Sequence, residues 1–298
     1  MRIFVTGASG FIGSAVVSEL LAAGHSVLGL ARSDASAAAL TAAGAEVHRG
    51  TLDDPASLRS GAEATEGVVH MAYNHDFSQM AAAAQTDLRA VQTFGEVLRG
   101  TGHPLLIASG VLGLASGRAA TEHDDSGRMP HPRSQSAQAT LALAEQGVRS
   151  AVVRFAPTVH GEGDHGFVHT LIEIARQRGV SAYIGDGGNH WPAVHRLDAA
   201  NLVRLATETV PAGSVLHAVA EEGIEARTIA EAIGRHLNLP VVSVTADEAG
   251  EHFGWIARFF ALDGLASSAH TRELLHWQPT HAGLIEDLDR GHYFQQTS

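Results

Sequence analysis

The sequence predicts an α/β fold in which a doubly wound parallel sheet is joined to a smaller second domain. Strand-like and helix-like segments alternate through the first half of the chain, which is typical of a parallel sheet with helices on both faces. The chain has 298 residues, of which 45% are hydrophobic and 17% charged, as expected for a folded globular protein. This length accommodates one large domain and one smaller domain, each with its own core.

Hydrophobic runs and helical periodicities set the individual elements. The predicted strands cover residues 2–6, 26–30, 45–49, 67–71, 104–109 and 150–155. The predicted helices between them cover residues 10–23, 35–43, 55–61, 79–101 and 134–146. Asp54 and Pro55 supply a cap and a first-turn proline for the third helix. Farther along, we expect helices over 167–178, 198–209 and 227–237, a strand over 214–219 and a closing segment over 269–289.

A glycine motif lies between the first strand and the first helix, where residues 6–13 read TGASGFIG. Glycines at this spacing let the chain turn sharply out of the strand, let the backbone approach a pyrophosphate, and let the helix pack closely on the sheet. The helix N-terminus adds unpaired N–H groups that favour phosphate. A mere turn is the alternative, but the strand–turn–helix–strand context predicts a Rossmann-type dinucleotide site. The residues expected at the cofactor are Gly7, Ser9, Gly10, Phe11, Ile12 and Gly13.

The end of the second strand bears on the choice between NAD and NADP. NAD enzymes place an acid there to bond the ribose 2′-hydroxyl. This chain has Arg32 and Ser33, whose guanidinium and hydroxyl suit the 2′-phosphate of NADP. Asp34 is the competing acid, but it serves equally as an N-cap of the next helix. The alternative for Arg32 is an ordinary surface residue. We therefore predict that NADP(H) is preferred over NAD(H).

These motifs resemble the extended short-chain dehydrogenase/reductase group, which includes epimerases, dehydratases and reductases. The TGxxGxxG pattern carries the resemblance, and further echoes extend along nearly the whole chain. They occur at residues 50–58, 68–72, 154–161, 194–200 and 275–279. The resemblance implies further cofactor contacts, for which apolar filling of a strand end is the alternative at residues 71–73. The implied contacts are Leu52 and Asp53 at the adenine, Met71, Ala72 and Tyr73 beside the nicotinamide ribose, and Pro157 in a turn near the nicotinamide.

Composition changes predict a discontinuous second domain. After residue 155, glycine-rich loops surround a helix, and then residues 198–219 return to a helix and strand of the first domain. We assign residues 1–155 and about 196–220 to a dinucleotide-binding domain. Residues from about 156–195 and 221–298 are assigned to a smaller C-terminal substrate domain.

The resemblance also implies a Tyr-x-x-x-Lys pair, in which the lysine lowers the tyrosine pKa so that the phenol exchanges a proton with the substrate oxygen. At the matching segment His131 stands in place of the tyrosine and Gln135 in place of the lysine, so this atypical chain lacks the signature. His131 is the leading proton-donor candidate, because an imidazole titrates near neutral pH without a neighbouring lysine. Ser109 is a weaker candidate for the hydroxyl that orients the substrate oxygen, since Val111 occupies the matching position.

On the substrate side, the resemblance places His160 beside the nicotinamide and residues 185–192 in a loop that closes over the substrate. His190 and Trp191 are therefore predicted substrate contacts, although Trp191 is equally an anchor between domains. The pocket loops contain few basic side chains besides Arg118, Arg128 and Arg133. We therefore expect a small, weakly charged carbonyl or alcohol substrate and an NADP(H)-dependent oxidoreductase. An epimerase or dehydratase is the alternative, and a non-catalytic cofactor-binding redox sensor is the third.

Composition argues against several other classes of function. The net charge of −12 disfavours nucleic-acid and anionic-membrane partners. The absence of cysteine excludes disulfides, thiolate catalysis and cysteine zinc sites. The spacing of His160, His165 and His169 matches no zinc template, so no metal is expected. Because the first strand begins at the initial Met and no apolar run reaches ~20 residues, we expect a cytoplasmic location. We also expect a small-molecule substrate as the partner, and a monomer or homodimer.

Overall fold

Seven parallel strands form the central sheet of the part of the chain that this computed structural model describes, residues 1–74, 79–125 and 133–295. In chain order, the strands are β1 (Arg2–Thr6), β2 (Ser26–Ala31), β3 (Glu46–Arg49), β4 (Val68–His70), β5 (Pro104–Gly110), β6 (Arg149–Phe155), β7 (Thr158–His160), β8 (Ser181–Ile184), β9 (His190–His195), β10 (Ser214–Ala218), β11 (Glu221–Glu225) and β12 (Val241–Val244). The central sheet has the order β3–β2–β1–β4–β5–β6–β10. The predicted fold class is confirmed.

Helices cover both faces of the sheet and build the second domain. They are α1 (Phe11–Ala22), α2 (Asp34–Ala42), α3 (Pro55–Glu63), α4 (Met80–Leu98), α5 (Ser134–Ala142), α6 (Phe167–Arg178), α7 (Arg196–Thr209), α8 (Ala226–Leu237), α9 (Ala246–Phe253), α10 (Ala257–Phe260), α11 (Ala269–Leu275) and α12 (Leu284–Asp289). Short 3₁₀ turns cover Leu143–Gln146, Gly254–Ile256 and His292–Phe294. The helices and strands predicted before residue 155 all form, and their ends either coincide with the prediction or differ by at most four residues.

The strand order reverses beside β1, because β2 and β3 lie on one side of it and β4 lies on the other. Thr6 and His70 are register partners at the carboxyl ends of β1 and β4. In open parallel sheets, ligands bind in the crevice outside the carboxyl ends of the strands at such a reversal. The topology therefore places the cofactor crevice between these two strand ends.

Side-chain caps fix two of the helix starts. Asp54 accepts a hydrogen bond from Ala56 N–H and Pro55 occupies the first turn of α3, which confirms the predicted start. The predicted N-cap at Asp34 is wrong. Ser33 caps α2 instead by accepting from Ser36 N–H at 3.2 Å, and Asp34 is the first helical residue. An acid at that position still favours the helix, because it lies near the positive end of the helix dipole.

The second domain has its own apolar core, built around the β11–β9–β7 sheet, the β12–β8 pair and helices α6, α8, α9 and α12. The C-terminal part of the chain does not pack wholly into it. Ala266, Leu275 and Trp277 belong to the core beside the central sheet. Trp277 Nε1 donates to the carbonyl of Asp198 in α7, at 3.1 Å. The α11 segment is thus fastened to the first domain, whereas the sequence assignment placed all of 221–298 in the second.

Burial holds two histidines in the neutral form. It lowers the pKa of His217 to about 4. His217 Nδ1 donates to Ser267 O at 2.7 Å, and its Nε2 accepts from Arg154 at 3.4 Å. Burial and the neighbouring His160 also lower the pKa of His195 to about 4. Its Nδ1 accepts the N–H of Leu197 as the N-cap of α7, a bond that protonation of Nδ1 would break.

Acidification from pH 7 to pH 5 is expected to destabilise the protein through these two histidines. Their folded pKa of about 4 lies below the unfolded value of 6.5, so the unfolded chain binds more protons as the pH falls through this window. Each histidine should contribute a loss of about 2 kcal/mol at pH 5. Urea denaturation at both pH values measures the loss, which His217→Asn should reduce. Exposed His276, whose positive φ suits asparagine, supplies the control His276→Asn. An unreduced loss in His217→Asn would contradict this account.

Candidate functional site

The glycine motif forms a tight cradle at the strand reversal. Gly7 has a φ of +68°, and a Cβ on it would lie 2.7 Å from the backbone nitrogen of Ala72, beyond the end of β4. A Cβ on Gly13 would lie 2.0 Å from the carbonyl oxygen of Gly7. Gly10 is the N-cap of α1 and supplies no side-chain cap, so N–H groups of the first helical turn are left for a ligand. This cradle fits a dinucleotide pyrophosphate, because only glycine permits the close approach of backbone and phosphate.

The predicted ribose-binding residues lie just past β2. Arg32 is exposed, and its side chain makes no hydrogen bond or ion pair with any residue that the structure describes. Ser33 is also exposed, although its hydroxyl is engaged as the α2 cap. Asp34 forms an ion pair with Arg49 of β3 at 2.6 Å. The acid at Asp34 therefore has an arginine partner at the surface, whereas the guanidinium of Arg32 is open to solvent.

Other predicted cofactor residues lie along the carboxyl edge of the sheet. Half-buried Leu52 packs against the apolar cluster behind β1 and β4. Asp53 is exposed, and its carboxylate accepts from the Thr86 hydroxyl of α4 at 3.4 Å. Ser9 is exposed, while Phe11 and Ile12 at the start of α1 are half-buried. Met71, Ala72 and Tyr73 follow β4 and are half-buried, and Pro157 occupies the half-buried bend between β6 and β7.

A network of buried polar side chains lies beneath this edge. Thr6 Oγ1 accepts from Ala72 N–H at 3.2 Å and lies 2.6 Å from Nδ1 of His70. His70 Nε2 lies 3.2 Å from Oδ1 of Asp87 in α4, and the same carboxylate pairs with Arg133 at 2.9 Å. The side chains of these residues other than Ala72 are all buried, namely Thr6, His70, Asp87 and Arg133. Although burial opposes ionisation, Arg133 and His70 hold the pKa of the Asp87 carboxyl well below its usual range.

Arg133 links this buried polar network to Tyr73, which is predicted to lie beside the nicotinamide ribose. Its guanidinium carbon lies 4.6 Å from the ring centroid of Tyr73, in a cation–π arrangement. Burial raises the pKa of the Tyr73 phenol, the guanidinium opposes this rise, and Asp87 adds to it. The phenol is therefore protonated at neutral pH and can donate a hydrogen bond at the crevice.

Sequence reasoning missed the role of Asp87 and named Arg133 only as one of a few basic side chains. A signal was present in the spacing. Asp87 lies four residues after Ala83, and three and four residues before Ala90 and Val91, all of which are buried on one face of α4. A lone carboxylate on an apolar helix face needs a buried partner, but the sequence does not show which one.

Of the two predicted catalytic residues, His131 and Ser109, the structure describes only Ser109. His131 lies outside the described residues. Ser109 lies near the end of β5 in register with Arg154 of β6 and is half-buried at the carboxyl edge. Val111 is buried, and its N–H donates to Phe155 O at 3.1 Å. The sequence contains no lysine, because all 20 of its Lys and Arg residues are arginine, so a Tyr-x-x-x-Lys pair occurs nowhere in it.

The predicted substrate contacts lie mainly inside the second domain. His160 is fully buried, and its Nδ1 lies 2.9 Å from the Asp287 carboxylate. Trp191 is fully buried, and its indole N–H donates to Phe259 O at 3.2 Å. The Trp191 indole fills the apolar core, and the His160 imidazole is enclosed beside Asp287, so neither side chain is exposed for contact with a substrate. Half-buried His190 holds Asp263 through both its backbone N–H and its Nδ1, at 2.9 and 3.0 Å.

Two kinds of feature are not found in the described part of the chain. No three His, Asp or Glu side chains there are arranged to hold a metal ion. No described helix is both long enough and apolar enough to cross a membrane.

Comparison with known proteins agrees with this geometry. The family model described as the NAD dependent epimerase/dehydratase family matches residues 3–219. The chain belongs to this family. An uncharacterized protein of Schizosaccharomyces pombe is 51% identical over 295 residues, which cover 99% of this chain and all of that protein. The family assignment confirms the resemblance that the glycine motif indicated.

Two further similarities extend the comparison. The 4-hydroxy-2-methyl-3-oxo-4-farnesyl-3,4-dihydroquinoline-1-oxide ketoreductase of Stigmatella aurantiaca is 28% identical over 280 residues, covering 85% of this chain and 80% of that protein. The crystal structure of dTDP-glucose 4,6-dehydratase from Streptomyces venezuelae, with NAD bound, superposes with a TM-score of 0.78 at 20% identity. It covers 98% of this chain and 96% of its own, and at this identity it shows a shared fold.

Asp87→Asn is expected to lower the free energy of unfolding by about 3–5 kcal/mol, because it leaves the buried Arg133 guanidinium without its counter-charge. Urea denaturation at pH 7 measures the change. Asp34→Asn is the matched control. It removes an aspartate–arginine pair of similar distance from a solvent-exposed position at the start of a helix, and it should lower the free energy of unfolding by no more than about 1 kcal/mol. Equal effects of the two substitutions would show that the buried pair has no special role in stability.

Proposed function

We propose that this protein is an NADP(H)-dependent oxidoreductase that reduces a small carbonyl compound or oxidises the corresponding alcohol. The glycine cradle at the reversal between β1 and β4 carries the proposal. Gly7 and Gly13 pack against neighbouring backbone with no room for a side chain, and the uncapped start of α1 leaves N–H groups that suit a pyrophosphate. The similar Stigmatella protein supports a redox reaction, since its name describes a ketoreductase. A reaction of this kind uses the cofactor as a reactant.

The preference for NADP rests on Arg32. Its exposed guanidinium follows β2 directly and makes no ion pair with a described residue, so it is available for a bidentate contact with a 2′-phosphate. The nearest acid, Asp34, is paired with Arg49 and starts α2.

The chain must also supply a proton. When bound, NADPH supplies a hydride to the carbonyl carbon. We assign the proton that goes to the carbonyl oxygen to the His131 imidazole, and the hydrogen bond that orients this oxygen to the Ser109 hydroxyl at the carboxyl end of β5. Tyr73, kept protonated beside Arg133, is a second hydrogen-bond donor at this edge.

Arg32→Ala should weaken binding of NADPH by about ten- to a hundredfold, the effect of losing a charge-assisted phosphate contact of ~1.5–3 kcal/mol. Binding of NADH should change little, because it lacks the 2′-phosphate. Titration of both cofactors by calorimetry measures the difference. Arg59→Ala, which removes an exposed arginine paired with Glu96 in α4, is the control. A variant that retained its preference for NADPH would disprove the assignment.

A panel of aldehydes, ketones and alcohols, followed at 340 nm, tests the redox reaction itself. His131→Ala should lower the rate about 10²–10⁴-fold while cofactor affinity stays nearly unchanged. The control is His103→Ala, since His103 precedes β5 at the opposite, amino end of the sheet. An unchanged rate in His131→Ala would exclude this imidazole as the donor. Turnover without any net change in absorbance would favour epimerase or dehydratase chemistry, and cofactor binding without turnover would favour a sensor.

A further inference from the structure

Arg196, the first residue of α7, lies against Phe11, the first residue of α1. Its guanidinium carbon is 5.0 Å from the centroid of the Phe11 ring. Farther along the same two helices, Arg204 donates to the Glu19 carboxylate at 2.9 Å. Both members of this second pair lie eight residues beyond those of the first, so α1 and α7 run side by side in the same direction with their N-termini level. Arg196 is therefore at the end of α1 that the glycine motif presents to a pyrophosphate.

The direction of the two side chains brings them toward the same edge of the sheet. Side chains of an α-helix tilt toward its N-terminus, so Phe11 and Arg196 both lean toward the start of their helices. Gly10, the residue before Phe11, is exposed and is the N-cap of α1. A guanidinium that lies over a ring uses its face for this contact, and its N–H donors, which lie in its plane, stay available for hydrogen bonds. Contact with Phe11 is thus compatible with contact to a phosphate.

A glycine-rich loop, residues 161–166, holds the Arg196 side chain in this place. One N–H of the guanidinium donates to the carbonyl of Glu162 at 2.8 Å. A Cβ on Gly161 would lie 3.0 Å from Cγ of Arg196, so the loop follows the arginine stem closely. The side chain makes no other hydrogen bond, and no ion pair, with a residue that the structure describes. Most of the five N–H donors of this half-buried cation are therefore left for a ligand.

The loop is itself fixed by buried hydrogen bonds on its other side. The Tyr293 hydroxyl accepts from Gly161 N–H at 3.1 Å and donates to the Asp164 carboxylate at 2.9 Å. Asp164 also accepts from Gly166 N–H at 2.6 Å. These bonds hold the Glu162 carbonyl between two anchored positions, and through it they restrict the Arg196 guanidinium. A cation that is ordered before the ligand arrives loses less conformational entropy on binding.

We propose that Arg196 is a cofactor-binding residue whose guanidinium contacts the pyrophosphate at the N-terminus of α1. This inference rests on the proposed function, because it places a nicotinamide dinucleotide at the glycine motif. A helix N-terminus carries only about half an elementary charge, which offsets a small part of the charge of a pyrophosphate. A guanidinium at the same end adds a full charge and charge-assisted hydrogen bonds. NAD and NADP share the pyrophosphate, so this contact strengthens both, unlike the proposed contact of Arg32 with the 2′-phosphate.

Two fragments of the cofactor test the proposal without any turnover. ADP-ribose contains the pyrophosphate but no 2′-phosphate, whereas adenosine 2′-monophosphate contains the 2′-phosphate but no pyrophosphate. In calorimetric titrations, Arg196→Ala should weaken binding of ADP-ribose about ten- to a hundredfold and leave binding of adenosine 2′-monophosphate unchanged. Arg32→Ala should do the opposite. Weaker binding of NADH and NADPH by the same factor in Arg196→Ala is the corresponding result for the whole cofactors.

Two further variants separate the charge of Arg196 from its packing. Arg196→Met keeps an unbranched stem over Phe11 without the charge, so it should weaken ADP-ribose binding as much as Arg196→Ala. Arg204→Ala removes the other arginine contact between α7 and α1, two turns from the helix starts, and should leave ADP-ribose binding unchanged. An affinity of Arg196→Met equal to that of the unmodified protein, or an equal loss in Arg204→Ala, would overturn the inference.

Binding and turnover distinguish a failure of this inference from a failure of the proposed function. Unchanged affinity for ADP-ribose in Arg196→Ala, or an equal loss for both fragments, would overturn the pyrophosphate contact even if the protein reduces carbonyl compounds. Arg196-dependent binding of ADP-ribose together with no oxidation of NADPH across the carbonyl panel would retain the contact and overturn the proposed reaction.

Discussion

The close approach of backbone at the ends of β1 and β4 is the constraint on which the rest of the site depends. Gly7 lies so near Ala72 that no side chain fits between them, and Gly13 is equally close to the carbonyl of Gly7. Because the strand order reverses at this point, the gap opens outward as a crevice instead of being covered by a crossover helix. Met71, Ala72 and Tyr73, which follow β4 directly, take their positions from this contact.

The network of buried polar side chains below the crevice holds the ends of β1 and β4 close together. Thr6 bonds the Ala72 amide and contacts His70, so side chains of both strand ends are connected through the same two residues that pair in register. Asp87 in α4 then contacts His70 of β4 and pairs with Arg133, the residue immediately before α5. A charge in this position is costly unless it is paired, so the pair favours a single arrangement of these four elements.

Local signals explain what could be predicted from the sequence, and long-range pairing explains what could not. The glycine motif and the Asp54 cap each act within a few residues, so the sequence predicts them well. Strand β11 reads EEGIE and shows no apolar alternation that would predict it. It forms because it pairs with β9, which is distant in sequence. The Asp87–Arg133 pair joins residues 46 positions apart, which no local pattern reveals. The resemblance of residues 185–192 to a substrate-covering loop does not reveal that Trp191 fills the core of the second domain, because an indole suits a surface and a core equally well.

The absence of lysine changes how this site can handle a proton. A lysine near a tyrosine contributes an uncompensated positive charge that lowers the pKa of the phenol. Here the cation beside Tyr73 is Arg133, and Asp87 neutralises it, so the pKa of the phenol is raised by burial instead of lowered. Tyr73 is thus suited to donating a hydrogen bond but poorly suited to ionising near neutral pH. The proposed reaction therefore assigns the proton to an imidazole, whose ordinary pKa lies near neutral pH.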